Sequence, residues 1–264
     1  MYVDFFVRYL AEFTISSSRL TQLKTYTQTY KPTLQYKSGE EFFPCDFYFD
    51  GDRDERNNVE NYDKLVYSEK MDNLRYFVHV QEYAWDNDIT EPAIAIEYWY
   101  YYVKDTGLFA HKLFAHKNDW KVSIIFLKQT NPSQVLLVKA GQHGSLIERF
   151  WNDVKKEGET HVFLYVGLKH AMFFAEPKDW INGTKIGYND PKNKPIYVWN
   201  SDPIESTNGD YDEITNWEDY HIWWDDESKY FWRWKFRTGW PYPPRLAAWR
   251  RDTWMMPEVG TYSG

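Results

Sequence analysis

The chain has 264 residues, 43% hydrophobic and 27% charged, with a formal net charge of −8. That composition excludes a disordered chain, and the acidic balance argues against the broad basic surface that nucleic-acid binding requires. One cysteine, Cys45, excludes an intrachain disulfide and a cysteine-based zinc site.

The first 30 residues read as a mixed, partly helical N-terminal extension. "MYVDFFVRYLAEF" carries charges inside its apolar run and has no small-residue cleavage pattern, so it does not read as a signal peptide. No later run approaches the roughly 18 uncharged apolar residues of a membrane span. The expectation is a chain without a transmembrane segment, cytoplasmic as given, with a secreted mature form or a virion protein as alternatives.

"TLQYK" (33–37) predicts a first short strand, and the acidic stretch from Asp50 to Asn61 predicts a long loop. Within it, Asp50, Asp52 and Asp54 alternate as in a calcium loop. The Gly is misplaced for an EF-hand, however, and position twelve is Asn61. A solvated acidic turn is the expectation.

Five strong strand signals follow, at 75–85, 93–103, 121–128, 134–140 and 161–167, with "TNPSQ" as a hairpin connection between the third and fourth. "GSLIERFWNDVKKEG" predicts a helix near 145–157. Ser145 and Glu148 form a capping box, Leu146, Ile147, Phe150, Trp151 and Val154 share one face, and Gly158 supplies the stop. The stretch 200–264 alternates acidic loops with Trp-rich closing strands. With 14 Trp, 22 Tyr and 17 Phe, the chain is rich in residues that favour strands and thick apolar layers. The expected fold is mainly β with α decoration: a single-domain (1–264), jelly-roll-like antiparallel β-sandwich with one helix packed on it.

The chemistry concentrates at "HKNDWK" (116–121). Strand alternation sends Trp120, Val122, Ile124 and Phe126 to one face and Asp119, Lys121, Ser123, Ile125 and Leu127 to the other. In the preceding strand, Glu97, Trp99, Tyr101, Val103 and Asp105 share a face. If the two strands pair, Asp105, His116 and Asp119 converge at a strand end, where imidazole and carboxylates suit a divalent cation or an acid/base pair. A surface His–Asp pair is the plainer alternative. His143 and His170 stand at loop or strand-end positions, where each either joins His116 in a pocket or hydrogen-bonds a loop carbonyl. His79, His111, His161 and His221 have no evident partner in the sequence. Phosphate loops, nucleophile elbows and His-Glu-x-x-His motifs are absent from the sequence.

"EYWYYYVKD…HKNDW" resembles the core motif of the necrosis- and ethylene-inducing-peptide-like superfamily, in which an aromatic strand ends in Asp and a His-x-x-Asp-Trp-Glu strand entry follows. "YKPTLQYKSGEEFFPCDFYFDGD", "QHG" (142–144), "VFLYVGLKHA" (162–171) and "WKFRTGWPYPP" resemble segments of its vacuolar-sorting-protein-like branch. The resemblance implies a jelly-roll-like sandwich with a cation site, Ca or Mg, held by Asp105, His116 and Asp119. In the cytolytic branch that site engages glycosylated sphingolipid headgroups. The motif's closing Glu is Lys121 here, an ammonium in place of an anionic ligand, with Glu97 as a potential substitute ligand. No cofactor is therefore the leading expectation.

Three functions follow as expectations. The first is a non-enzymatic binding protein that engages a glycan, lipid headgroup or protein through strand-end loops, with a degenerate cation site. The second is a metal-assisted or His/Asp hydrolase using Asp119 with His116, His143 or His170. The third is a structural or assembly protein, cellular or viral, whose aromatic surface makes subunit contacts.

Overall fold

The computed structural model describes residues 16–46, 49, 55–84, 88–105, 116–142, 146–167, 170–177, 183–198 and 213–214. The Trp-rich segments predicted beyond residue 214, the first fifteen residues, and His143, Ser145 and the 50–54 acidic run lie outside them.

Helix α1 (Ser17–Thr29) begins at Ser16, whose hydroxyl caps the Arg19 N–H. Strand β1 (Thr33–Tyr36) follows, then helices α2 (Glu55–Lys64) and α3 (Tyr67–Asp72). The predicted loop to Asn61 is therefore overturned from Glu55 onward. Val59 and Tyr62 are buried in α2, and packing of one apolar stripe is enough to order a helix of poor intrinsic propensity.

A seven-stranded sheet is built from β2 (Arg75–Ala84), β3 (Ala93–Asp105), β4 (His116–Lys128), β5 (Asn131–Gly141), β6 (Leu146–Phe150), β11 (Lys194–Val198) and β12 (Glu213–Ile214). Its order is β12-β11-β2-β3-β4-β5-β6, so β2 to β6 form a meander of neighbouring antiparallel strands. Strands β1, β7 (Lys156–Glu157), β8 (His161–Val166), β9 (Met172–Phe173) and β10 (Lys185–Ile186) form a smaller sheet, in which β1 and β8 run parallel.

The two sheets pack face to face as a β-sandwich. Leu34, Tyr36, Val162, Leu164 and Val166 from the small sheet meet Val78, Ile96, Tyr98, Tyr100, Tyr102, Ile125 and Val138 from the large one. The outer face of the large sheet is also buried, with Phe77, Trp99, Tyr101, Val103, Trp120, Val122, Ile124 and Phe126 packed with Val59 and Tyr62 of α2. Burial on both faces explains why β3 reads as a nearly continuous apolar run. The β4 alternation falls as the sequence pattern assigns it, with Trp120 to Phe126 outward and Ile125 and Leu127 toward the sandwich interior.

The predicted helix near 145–157 is not formed. Leu146–Phe150 is strand β6, in register with β5 from Gly141↔Leu146 to Leu137↔Phe150, and Trp151–Asp153 is a single 3₁₀ turn. Pairing with the exposed edge of β5 satisfies that edge's backbone groups, an advantage that local helical periodicity does not record. Gly158, at φ 66°, lies between the paired strands β7 and β8 rather than ending a helix. Phe150, assigned to a buried helical face, is 60% exposed.

Candidate functional site

Asp119 and Lys121 sit two apart on the interior face of β4, with Tyr102 and Tyr100 as their register partners on β3. The β8–β9 hairpin brings in His170. Its backbone N–H donates to Gly167 O at 2.7 Å, and it adopts φ 56°, a conformation that costs an L-residue roughly 1–2 kcal/mol. Glu40 arrives from the turn after β1. Its N–H donates to Lys37 O at 3.2 Å, and Gly39 takes φ 85° to make that turn.

These side chains form one buried ionic cluster between the sheets. Lys121 Nζ donates to Asp119 Oδ1, and His170 Nδ1 lies 2.7 Å from Asp119 Oδ2. His170 Nε2 faces Glu40 Oε1 at 3.6 Å, an ion-pair distance just beyond a hydrogen bond. Glu40 Oε1 also accepts from the backbone N–H groups of Glu41 and Phe42 at 3.0 and 2.9 Å. Side-chain exposure is 2% for Lys121, 5% for Asp119, 0% for His170 and 3% for Glu40. The His170 ring lies flat on Tyr102, with centroids 3.7 Å apart and planes within 4°, and Tyr102 and Tyr36 share a 2.9 Å hydroxyl contact.

Burial opposes the charged imidazole. The charge of Glu40 and the hydrogen bond with Asp119 outweigh it and push the His170 pKa up to about 9. His170 is therefore an imidazolium at neutral pH, both of its nitrogens are donors, and it serves as a fixed positive charge rather than a free base.

Of the predicted site residues, Asp119 and His170 are brought together. Asp105 is buried at the end of β3, in register with His116, whose side chain lies outside the described residues, as does all of His143. Glu97, the potential substitute ligand, is engaged elsewhere. It pairs with His79 Nδ1 at 3.1 Å and accepts from Trp99 Nε1 at 3.0 Å, five residues along β3 from Tyr102. His161 engages Lys31 O and stacks on Tyr188. Glu40 and the Tyr102 ring were missed in the sequence; the only local signal was a Gly-containing turn followed by an acid. Among the described residues, no three His, Cys, Asp or Glu side chains are grouped as metal ligands, and no helix is long and apolar enough to cross a membrane.

Fold and cluster together define a mainly β sandwich whose two sheets are joined at one end by buried charges. No known family matches the chain, and no curated protein does. Solved structures similar to it are necrosis- and ethylene-inducing proteins and related toxin folds. Necrosis and Ethylene inducing Protein 2, from the causal agent of cocoa's Witches Broom disease, is 17% identical over 57% of this chain and 67% of that one, with a TM-score of 0.40. NLPPya in complex with mannosamine is 16% identical over 58% and 67%, with a TM-score of 0.40. A structure described as a toxin fold for microbial attack and plant defense is 15% identical over 66% and 73%, with a TM-score of 0.44. These similarities lend no support to the vacuolar-sorting part of the resemblance.

Proposed function

We propose that this protein is a non-enzymatic binding protein, of the kind that engages a glycan, lipid headgroup or protein through the loops of a β-sandwich. In it, Lys121 serves as an internal cation where a divalent metal would otherwise sit. The observation that supports this reading is the engagement of Asp119: Lys121 on one oxygen, His170 on the other, all three buried. Two cationic donors on one carboxylate make a poor environment for a divalent ion, because each repels it at close range in a medium that screens weakly. The same arrangement disfavours the hydrolase alternative. A general base must reach a substrate proton, and His170 is protonated, covered by Tyr102 and held between two carboxylates.

Elemental analysis of chelator-treated protein, with and without added calcium, magnesium or zinc, tests the reading. The expected result is no stoichiometric metal and a melting temperature unchanged by chelator. Lys121→Glu is expected to make stability calcium-dependent. One tightly held metal per wild-type chain would overturn the internal-cation assignment.

A further inference from the structure

A second feature lies away from the Asp119 cluster. The end of β6, the following 3₁₀ turn and the start of β5 enclose a shallow cleft of about 530 Å³, lined by Ser133, Gln134, Phe150, Trp151 and Asn152 over apolar β5 side chains. Register places it near Phe126, which pairs with Leu137, itself paired with Phe150. That is seven residues along β4 from Asp119, or roughly 23 Å at about 3.3 Å per residue.

We propose that this cleft binds a neutral pyranose unit of a glycan. The assignment rests on the proposed reading of the protein as a binding module and names its ligand class and place. A pyranose ring presents a face of C–H groups and a rim of hydroxyls. The cleft offers the complement: Phe150, 60% exposed, and the half-buried Trp151 as apolar surfaces, with the exposed amides of Gln134 and Asn152 and the Ser133 hydroxyl at the edge. Its volume falls within the range of small-ligand sites.

The lining carries no carboxylate, ammonium or guanidinium, and the ammonium beside Trp151 is already committed. Lys156 Nζ donates to Trp151 O at 2.8 Å and Val154 O at 3.3 Å while lying 4.8 Å from the centre of the Trp151 ring. A neutral sugar therefore fits better than an anionic headgroup.

The cleft is also held in place before any ligand arrives. Tyr30 meets Trp151 edge-on at 6.5 Å, and its hydroxyl donates to Pro132 O at 2.8 Å, so one side chain ties both walls. Prior ordering of this kind lowers the entropic cost of binding. A peptide strand added beside β6, the last strand of the sheet among the described residues, would use its backbone groups and leave the amides of Gln134 and Asn152 without a role.

The test is titration calorimetry and saturation-transfer NMR with chitotetraose, cellotetraose, maltotetraose and mannotetraose, each with calcium and with chelator. The proteins compared are wild type, Phe150→Ala, Asn152→Ala and Lys121→Met. At least one sugar is expected to bind independently of calcium. Phe150→Ala is expected to weaken it about tenfold or more and Asn152→Ala several-fold, roughly the loss of one stacking contact and one hydrogen bond, with melting temperatures held. No binding to any of the four at about 10 mM, a concentration that reveals binding free energies as weak as roughly −3 kcal/mol, or binding undiminished in both cleft variants, overturns the assignment. Loss in a Lys121→Met protein that circular dichroism shows to be folded, with normal binding in Phe150→Ala, places the site at the strand end and also overturns it. So does self-association that Phe150→Ala abolishes in the absence of sugar binding. Stoichiometric metal on the wild type, by contrast, removes the internal-cation reading and leaves the cleft assignment standing.

Discussion

His170 Nδ1 meets Asp119 Oδ2 at 2.7 Å across 51 positions of sequence, joining the β8–β9 hairpin of the small sheet to the central ladder of the large one. Hydrophobic packing between the sheets is non-directional and tolerates small slides. A charge-assisted hydrogen bond does not, because its strength depends on distance and angle. The cluster therefore fixes how the two layers sit against each other at that end of the sandwich.

The charge on His170 makes that contact pH-dependent. Its folded pKa, about 9, lies above the ordinary 6.5, so its contribution is fully present below about pH 6.5 and is lost as pH rises through 9. The full contribution is roughly 3 kcal/mol. Lys31, pushed down to about 8 mainly by burial, acts in the opposite direction between about pH 8 and 10.5. The informative quantity is thus the stability gap between wild type and His170→Gln in urea titrations. It is expected to shrink steadily from pH 6.5 to 9, and a gap independent of pH would contradict a charged His170.

Lys121→Met keeps most of the length of the side chain and removes its charge, leaving Asp119 with one cationic partner fewer. A loss of about 3–5 kcal/mol is expected. Asp119→Asn in the Lys121→Met background should recover part of that loss, since a neutral amide carries no uncompensated charge. If the double variant is as unstable as the sum of the singles, the pair is not coupled.

Glu97 is fully buried on the outer face of the large sheet, holding both His79 and the Trp99 indole. Glu97→Gln preserves an acceptor for Trp99 and should cost about 1–2 kcal/mol, whereas Glu97→Ala opens a cavity and strands both partners, costing about 3–5 kcal/mol. Equal losses in thermal unfolding would show that the carboxylate, not its shape, supports the site.

Tyr83 lies at φ 54° in the β2 irregularity between Gln81 and Ala84 and is 67% exposed. Little packing compensates that left-handed conformation. Tyr83→Asn, a residue that adopts it more readily, should therefore be neutral or stabilising by up to about 1 kcal/mol. A loss above about 1 kcal/mol would mean that the ring makes a contact that matters.

By composition and alternation, the sequence by itself was enough to locate β1 to β5 and β8 and to assign the faces of β4. In β4, alternation alone sends Trp120 and Val122 outward and Ile125 and Leu127 inward, because the side-chain period of a strand is two whatever surrounds it. It also marked Lys121 as the residue at odds with a cation site. Tertiary structure decided the rest. Leu146–Phe150 carries helical spacing, yet β5 offered it an edge to pair with, and that edge is built from residues the helical pattern never sees. Glu40 and His170 reach Asp119 only because two turns, after β1 and after β8, close at the same end of the sandwich. Local periodicity encodes which way a side chain points; which distant charge it meets is set by the pairing of whole sheets, where the energy of contact depends on neighbours far away in the chain.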